Sequence, residues 1–218
     1  MIAAVADLIA TMPHDRPVRV AIDGPDAAGK TTLADELSKS IKAVGRSVAR
    51  VSIDGFLRPR SERSEGDVQT AAGYYREAFD AEEFIHLVLA PLRDGGDRTI
   101  RVAAYDYGGD TRTIGEPLVV NDDAVVLVDG VFLQRPTFRD DWDVSVYVDV
   151  SEQETVARAR VRDAELFGGA AETERRYRDR YLPAQKLYRD EADPIAHAHV
   201  LIDNEDPTQP VLLRCGHD

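Results

Sequence analysis

Cysteine, tryptophan, methionine and lysine are all scarce in this chain. Its 218 residues include one Cys, one Trp and two Met. A lone cysteine, Cys215, excludes an internal disulfide and a cysteine-built zinc site. Its place near the C-terminus reads as a spectator in a mobile tail. No apolar run approaches the roughly 20 residues that a membrane-spanning helix needs. Of the 27 basic residues only Lys30, Lys39, Lys42 and Lys186 are lysines, and the formal net charge is −13. That balance argues against nucleic acid as a partner, and no membrane partner is expected. Residues 1–11 carry Asp7 and no basic segment, so they read as an amphipathic helix rather than a secretory signal. Ile2, Val5, Leu8, Ile9 and Met12 form its apolar stripe. The expected compartment is the cytoplasm.

Apolar residues make up 43% of the chain, enough for one full core. Short Val- and Ile-rich runs over 18–22, 47–53, 124–128, 144–148 and 199–202 read as buried strands. Helical patterns over 30–43, 81–92, 152–166 and 173–188 fall between them. This alternation predicts an α/β fold: a mostly parallel five-stranded sheet with helices on both faces, in one domain over 1–218. Ser151 followed by Glu154 marks a capping box. Two polar stretches, about 55–75 and about 97–115, read as excursions on the substrate side, beyond the carboxyl ends of the strands.

The densest chemical signal follows the first strand: Gly24-Pro25-Asp26-Ala27-Ala28-Gly29-Lys30-Thr31-Thr32. At this composition, chance gives such a G-x-x-x-x-G-K-[ST] match in about two sequences per thousand. Glycines let the chain turn so that successive backbone N–H groups face a phosphate. Lys30 can reach the β- and γ-phosphates, the Thr31 hydroxyl can sit on Mg²⁺, and the following helix points its positive end inward. The expected nucleotide contacts are Gly24, Asp26, Ala27, Ala28, Gly29, Lys30, Thr31 and Thr32.

Two carboxylates stand at strand ends. Asp54 follows the second strand in Ser52-Ile53-Asp54-Gly55-Phe56, and Asp129 closes Ala124-Val125-Val126-Leu127-Val128-Asp129. Apolar residues followed by Asp give the Walker B pattern, whose carboxylate holds Mg²⁺ directly or through water. Either Asp alone would be an ordinary turn cap. Beside a phosphate loop, Thr31, Asp54 and Asp129 are the expected metal ligands. Gly130 stands where a hydrolytic enzyme carries an acid, which favours transfer to a bound acceptor. Arg158, Arg160, Arg162, Arg175, Arg176, Arg178 and Arg180 mark a lid over about 158–180. Arg158 is assigned to the nucleotide, and Arg162, beside Asp163, to the charge of the transition state. Each arginine alone also reads as part of a solvated helix face; Glu154 precedes Arg158 by four. Tyr74, Tyr75, Tyr105 and Tyr107 suit either stacking on a flat substrate or packing. The five histidines show no metal-ligand spacing, and His197 and His199 read as structural.

On these residues the chain resembles the uridine kinase and phosphoribulokinase-like branch of P-loop kinases, over about 18–204. The phosphate loop, Ile53-Asp54-Gly55-Phe56, Ala78-Phe79-Asp80, Tyr105-Asp106-Tyr107, Arg162-Asp163, Tyr177 with Leu182-Pro183-Ala184, and the strand over 198–202 carry the resemblance. It implies a three-layer P-loop NTPase fold with ATP and Mg²⁺ as cofactors, and a small-molecule hydroxyl acceptor, uridine-like. In that reading Asp54 is the base, while Lys30 and Arg162 are the other catalytic groups. The implied substrate-side residues are Asp54, Phe56, Tyr74, Tyr105, Asp110 and Arg112. Three departures stand out. Asp129 replaces a Glu, Tyr74 stands where the family has an Asp on the ribose hydroxyls, and Asp110 stands where it has a pyrimidine-reading His. Asp54-Gly55-Phe56-Leu57 also resembles the D-G-F-L of pantothenate kinases, which makes pantothenate or another metabolite the alternative acceptor. The family often forms homo-oligomers, though no residue here requires one.

Two other functional classes are a nucleotide-driven switch or accessory NTPase, and a kinase fold reduced to a binding module. The N-K-x-D run that reads guanine is absent. The presence of Lys30, Thr31, Asp54 and Asp129 argues against the second.

Overall fold

All five expected strands form, and their register sets the site. The computed structural model describes residues 1–12, 15–62, 70–106 and 108–216. Its main sheet contains β1 (Val18–Asp23), β2 (Val48–Ser52), β3 (Val125–Asp129), β4 (Val144–Asp149), β5 (Val200–Asp203) and β6 (Val211–Cys215). The spatial order is β6-β5-β4-β1-β3-β2, parallel except where β6 runs against β5. The sheet therefore has six strands, not five. Cys215 is exposed within the sixth rather than lying in a loose tail. His14, Tyr107 and His217 lie outside the described residues.

Buried strands alternate their side chains between two cores. Ala21, Val51, Val126 and Val128 face one, together with Phe84, Phe132, Phe138 and Tyr188. Val20, Ile22, Leu127, Val144 and Val146 face the other, with Val5, Ile9, Leu37 and Ile41. Helices α1 (Ile2–Ala10) and α2 (Lys30–Ala43) cover the second face, with Val5, Ala6 and Ile9 of α1 buried. The Arg46 guanidinium ties them together by donating to the carbonyls of Ile9 and Met12. On the first face lie α3 (Ala71–Glu77) and a helical stretch that runs from Ala81–Phe84 through a wide π-turn, Ile85–Leu89, to Ala90–Leu92.

The remaining helices differ from expectation in their breaks. The third predicted helix ends early: α4 spans Glu152–Arg162, and after Asp163 a short turn of helix, Ala164–Phe167, stops at Gly168. The Ser151 hydroxyl accepts from Glu154 N (3.1 Å), as a capping box requires. The Ser151 N–H, however, goes to Glu205 (2.9 Å), because Glu154 is engaged by Arg158. The fourth predicted helix is longer than expected. It runs from Ala170–Arg176 through a π-turn at Tyr177–Tyr181 into α5 (Leu182–Ala192). Val156, Ala159 and Tyr177 form a small separate apolar cluster. The polar excursion near 100 folds as two antiparallel ribbons, Thr99–Arg101 with Pro117–Val119 and Tyr105–Asp106 with Thr111–Arg112. Among the described residues no helix is long and apolar enough to cross a membrane.

Candidate active site

Ile22 of β1 and Ser52 of β2 both pair with Asp129 of β3. The carboxyl ends of three strands therefore lie level, and the residues that follow them converge. After β1 the chain turns sharply at Gly24, where φ is +148° and an added Cβ would lie 2.3 Å from the Val148 carbonyl oxygen. Only glycine fits there. Gly29 closes the loop in the left-handed region (φ +91°) and leads into α2. Asn204 holds the turn by donating to the Ala28 carbonyl (2.8 Å). The buried Asp23 anchors the loop from below. It accepts from Gly24 N (2.8 Å), Gln134 N (3.1 Å) and the Tyr188 hydroxyl, and burial raises its pKa.

Lys30 is buried and donates its ammonium to the Pro25 carbonyl within the same loop (2.6 Å). Burial lowers its pKa, and the charges of Asp26, Asp23 and Asp54 counter that shift. The next residue reaches the strand end: Thr31 Oγ1 donates to Asp129 Oδ2 at 2.7 Å. The other oxygen of Asp129 accepts from Arg50 Nη2 (2.8 Å), and Arg50 also pairs with Asp35. Asp129 is only 4% exposed.

Asp54 enters from the single helical turn Ile53–Phe56 after β2, with its backbone N–H on Ser52 Oγ (3.4 Å). It is open to water at the rim of a crowded cleft. The surrounding protein raises its pKa, and the Asp26 and Asp129 charges add to the rise; Lys30 and Arg162 oppose it. Thr31, Asp129 and Asp54 present only oxygen donors, the hard set that Mg²⁺ accepts. Among the described residues no group of three or more His, Cys, Asp or Glu side chains is arranged as a ready-made metal cage.

Arg162 is locked to Asp163 by two bonds, Nε–Oδ1 (2.6 Å) and Nη2–Oδ2 (2.9 Å). The Tyr177 hydroxyl bridges the pair, donating to Asp163 (2.7 Å) and accepting from Arg162 (3.1 Å). Arg162 lines one cavity with Ala27, Gly29 and Thr32 of the loop, and its charge acts on both Lys30 and Asp54. Arg158 instead holds Glu154 and the carbonyls of Asn204 and Glu205. It lines a cavity of about 610 Å³ with Ala27, Gly29, Thr32, Arg162 and Asn204. The other arginines separate. Arg160, Arg175, Arg176 and Arg178 pair with Glu172 or Glu174 on the helix surface, the solvated-face alternative. Arg180 stacks over Tyr74 and Tyr181.

The substrate-side residues are held by ion pairs and ring contacts. Phe56, expected to meet substrate, is fully buried edge-on to Phe84 (5.1 Å) and belongs to the core, because the helical turn that exposes Asp54 points Phe56 inward. Tyr74 is buried as well, and its hydroxyl donates to Asp26 Oδ1 (3.1 Å). Tyr75 packs on Phe132 and Tyr188. The Tyr105 hydroxyl donates to Asp110 Oδ1 (2.8 Å), which also accepts from Arg60 N (3.2 Å). Arg112 forks onto Glu62 and reaches Asp80 (2.8 Å). Asp80 in turn caps the helical stretch that begins at Ala81, accepting from Glu83 N (3.2 Å). His199 accepts from Ser145 N (2.9 Å), the structural role expected of it.

A phosphate loop, a Thr–Asp contact across to the strand beside it, and a second carboxylate at the next strand end are shared features of nucleotide-driven phosphotransferases. The model of the Phosphoribulokinase / Uridine kinase family matches residues 19–175. The chain belongs to that family. Over 155 residues it is 31% identical to the uridine kinase of Staphylococcus haemolyticus, covering 71% of this chain and 72% of that one. It is 28% identical to uridine-cytidine kinase B of Dictyostelium discoideum, over 74% of this chain and 65% of that one. The fold resembles a solved structure described as a possible uridine kinase from Bacillus stearothermophilus (TM-score 0.73, 24% identity, covering 92% and 96% of the two chains). It also resembles D-glycerate 3-kinase from Cryptococcus neoformans (TM-score 0.64, 16% identity, 97% of each chain).

The protein is thus a P-loop kinase of the Phosphoribulokinase / Uridine kinase family, a phosphotransferase acting on a hydroxyl group. Four features of this kinase's site have no local sequence signal: the Asp23–Tyr188 anchor, the Arg50 contact to Asp129, the partners of Asp26, and the locking of Arg162 by Tyr177. Each joins residues distant in the chain. One signal was available: an acid inside a loop built for phosphates.

Proposed function

We propose that this kinase transfers the γ-phosphate of ATP to a hydroxyl of a small nucleoside, in the manner of a uridine kinase, with Mg²⁺ as cofactor. The convergence of Lys30, Thr31, Asp129 and Asp54 at three level strand ends carries this reading. The names of the curated relatives support the nucleoside acceptor.

The residues divide the work as follows. The backbone N–H groups from Asp26 to Thr32 cradle the β- and γ-phosphates. Lys30, freed from Pro25, steadies the transferring phosphoryl group. Thr31, Asp129 and Asp54 would hold Mg²⁺, which when bound neutralises charge on the phosphate oxygens. Asp54 takes the proton of the acceptor hydroxyl as its oxygen forms the new bond to phosphorus and the bond to the leaving ADP breaks. Arg162, oriented by Asp163 and Tyr177, faces the negative charge of the transition state. Arg158 helps form the cavity on the nucleotide side, and Arg112 with Tyr105 and Asp110 forms the outer wall of the acceptor side.

An ADP-release screen tests the reading with uridine, cytidine, pantothenate, D-glycerate and sugar alcohols, and Asp54→Asn as the blank. The expected result is nucleoside-dependent ADP release with formation of the nucleoside monophosphate. Release equal with and without every acceptor would favour an NTPase. Release with pantothenate or D-glycerate alone would replace the nucleoside.

A further inference from the structure

A loop that binds polyanions gains nothing from an acid aimed at them. Asp26 nevertheless occupies its third position. Its carboxylate turns out of the loop. Oδ1 accepts from the Tyr74 hydroxyl of α3 (3.1 Å), and Oδ2 accepts from Gln185 Nε2 of α5 (3.4 Å). Tyr74 is one of the expected substrate-side residues.

The groups that hold Asp26 are themselves fixed. Tyr74 stands edge-on to Phe132 (5.4 Å) and Tyr181 (4.8 Å), with the Arg180 guanidinium 4.8 Å from its ring centre. Gln185 is 1% exposed, and its Oε1 is buried with no hydrogen-bond partner among the described residues. An ionised carboxylate offers about four acceptor sites, and two are used here. Asp26 follows Pro25, whose carbonyl accepts from the Lys30 ammonium (2.6 Å), and its own partner is the substrate-side Tyr74, so the carboxylate stands between the phosphate loop and that side. A carboxylate with acceptor sites to spare and an unpartnered amide oxygen on its own hydrogen-bond partner make this spot rich in acceptors. It suits a ligand that donates hydrogen bonds and opposes one with an anion there.

We infer that Asp26 reads the acceptor: its carboxylate receives a hydrogen bond from a second acceptor hydroxyl, on a carbon one or two bonds from the carbon that bears the attacking oxygen. The inference rests on the proposed transfer to a hydroxyl and narrows the acceptor class to polyhydroxy compounds without an anionic group beside the attacking oxygen. Asp26 contributes its backbone N–H to the nucleotide and its side chain to the acceptor.

The test uses the full chain with Mg²⁺·ATP. Initial rates are measured for wild type, Asp26→Asn and Tyr74→Phe with uridine, 3′-deoxyuridine and, as a single-hydroxyl alcohol, choline. ATP affinity is measured by equilibrium titration, and thermal melts check folding. A lost bond to a charged group changes binding about tenfold or more. Wild type should prefer uridine to 3′-deoxyuridine by about that factor and ignore choline. Asp26→Asn should raise the uridine KM about tenfold, erase the preference, and leave the ATP Kd within about threefold. Tyr74→Phe should act in the same direction with a smaller effect, and it carries the test if Asp26→Asn does not fold. Equal use of uridine, 3′-deoxyuridine and choline by wild type, or an ATP Kd in Asp26→Asn weakened as much as the acceptor KM, overturns the inference. If only pantothenate is turned over, the nucleoside reading fails and the inference is judged by the KM rise with that acceptor; turnover of D-glycerate alone, with its carboxylate beside the attacking oxygen, overturns the inference as well. If nothing is turned over, equilibrium titration with uridine and 3′-deoxyuridine decides: a preference for uridine that Asp26→Asn erases supports it, and equal binding of the two by wild type overturns it.

Discussion

The phosphate-loop side of this site is shaped by backbone, and the proposed acceptor side is shaped by side chains. Gly24, Ala28, Gly29 and the start of α2 fall within a few consecutive residues, and their shape follows from torsions that only the local sequence sets. The proposed acceptor side has no such segment. Asp26 meets Gln185 across 159 positions, and Arg112 meets Glu62 across 50. A phosphate has one shape in every nucleoside triphosphate, so a short loop can be fixed to it. An acceptor differs from enzyme to enzyme, and a wall of ion pairs and ring contacts can change without disturbing the loop.

Substitutions on the two sides should separate along this line. The largest loss is expected from Lys30→Ala, about a thousandfold in transfer rate with weaker ATP binding, read from initial ADP release and ATP titration. An unchanged rate would remove the loop from the mechanism. Asp54→Asn should cost about a hundredfold or more in rate, since the proton acceptor is lost, with a much smaller effect on ATP titration, since the amide keeps one oxygen toward Mg²⁺. Near-normal transfer would mean that another group is the base. Gly24→Ala tests the backbone character of the phosphate-loop side. With an added Cβ 2.3 Å from the Val148 oxygen, it should lower stability by about 2 kcal/mol, seen as a drop of several degrees in melting temperature. A melt within one degree of the parent would show that the turn tolerates a side chain. The smallest effect is expected from Arg112→Ala: the acceptor KM should rise by about threefold, because its ion pairs are largely solvated, with the ATP Kd unmoved. A change in ATP Kd there would erase the boundary between the two sides.

The same boundary separates what the sequence discloses from what it hides. The phosphate loop, Asp54, Asp129 and five strands are legible because each depends on a short pattern. Periodicity alone does not find β6: its side chains alternate between exposed and half-buried, and no helix separates it from β5. The two π-turns, at Ile85–Leu89 and Tyr177–Tyr181, arise inside helices whose apolar spacing reads as regular. Phe56 looks like a site residue because it follows Asp54 by two, but a single helical turn puts the two on opposite sides. The arginine run reads as one cluster, and tertiary packing divides its seven members into Arg162 beside the loop, Arg158 on Glu154 and two carbonyls, Arg180 on the tyrosines, and four in surface ion pairs.

Tyr181 belongs at once to the rim of the large core and to the small cluster around Val156, Ala159 and Tyr177. Its ring lies 4.8 Å from Tyr74 and 4.7 Å from Tyr177. The apolar packing behind Arg162 and the packing around Tyr74 therefore share one side chain. The arginine beside the phosphate loop and the tyrosine that holds Asp26 are braced by the same ring, so neither support can be rebuilt without the other.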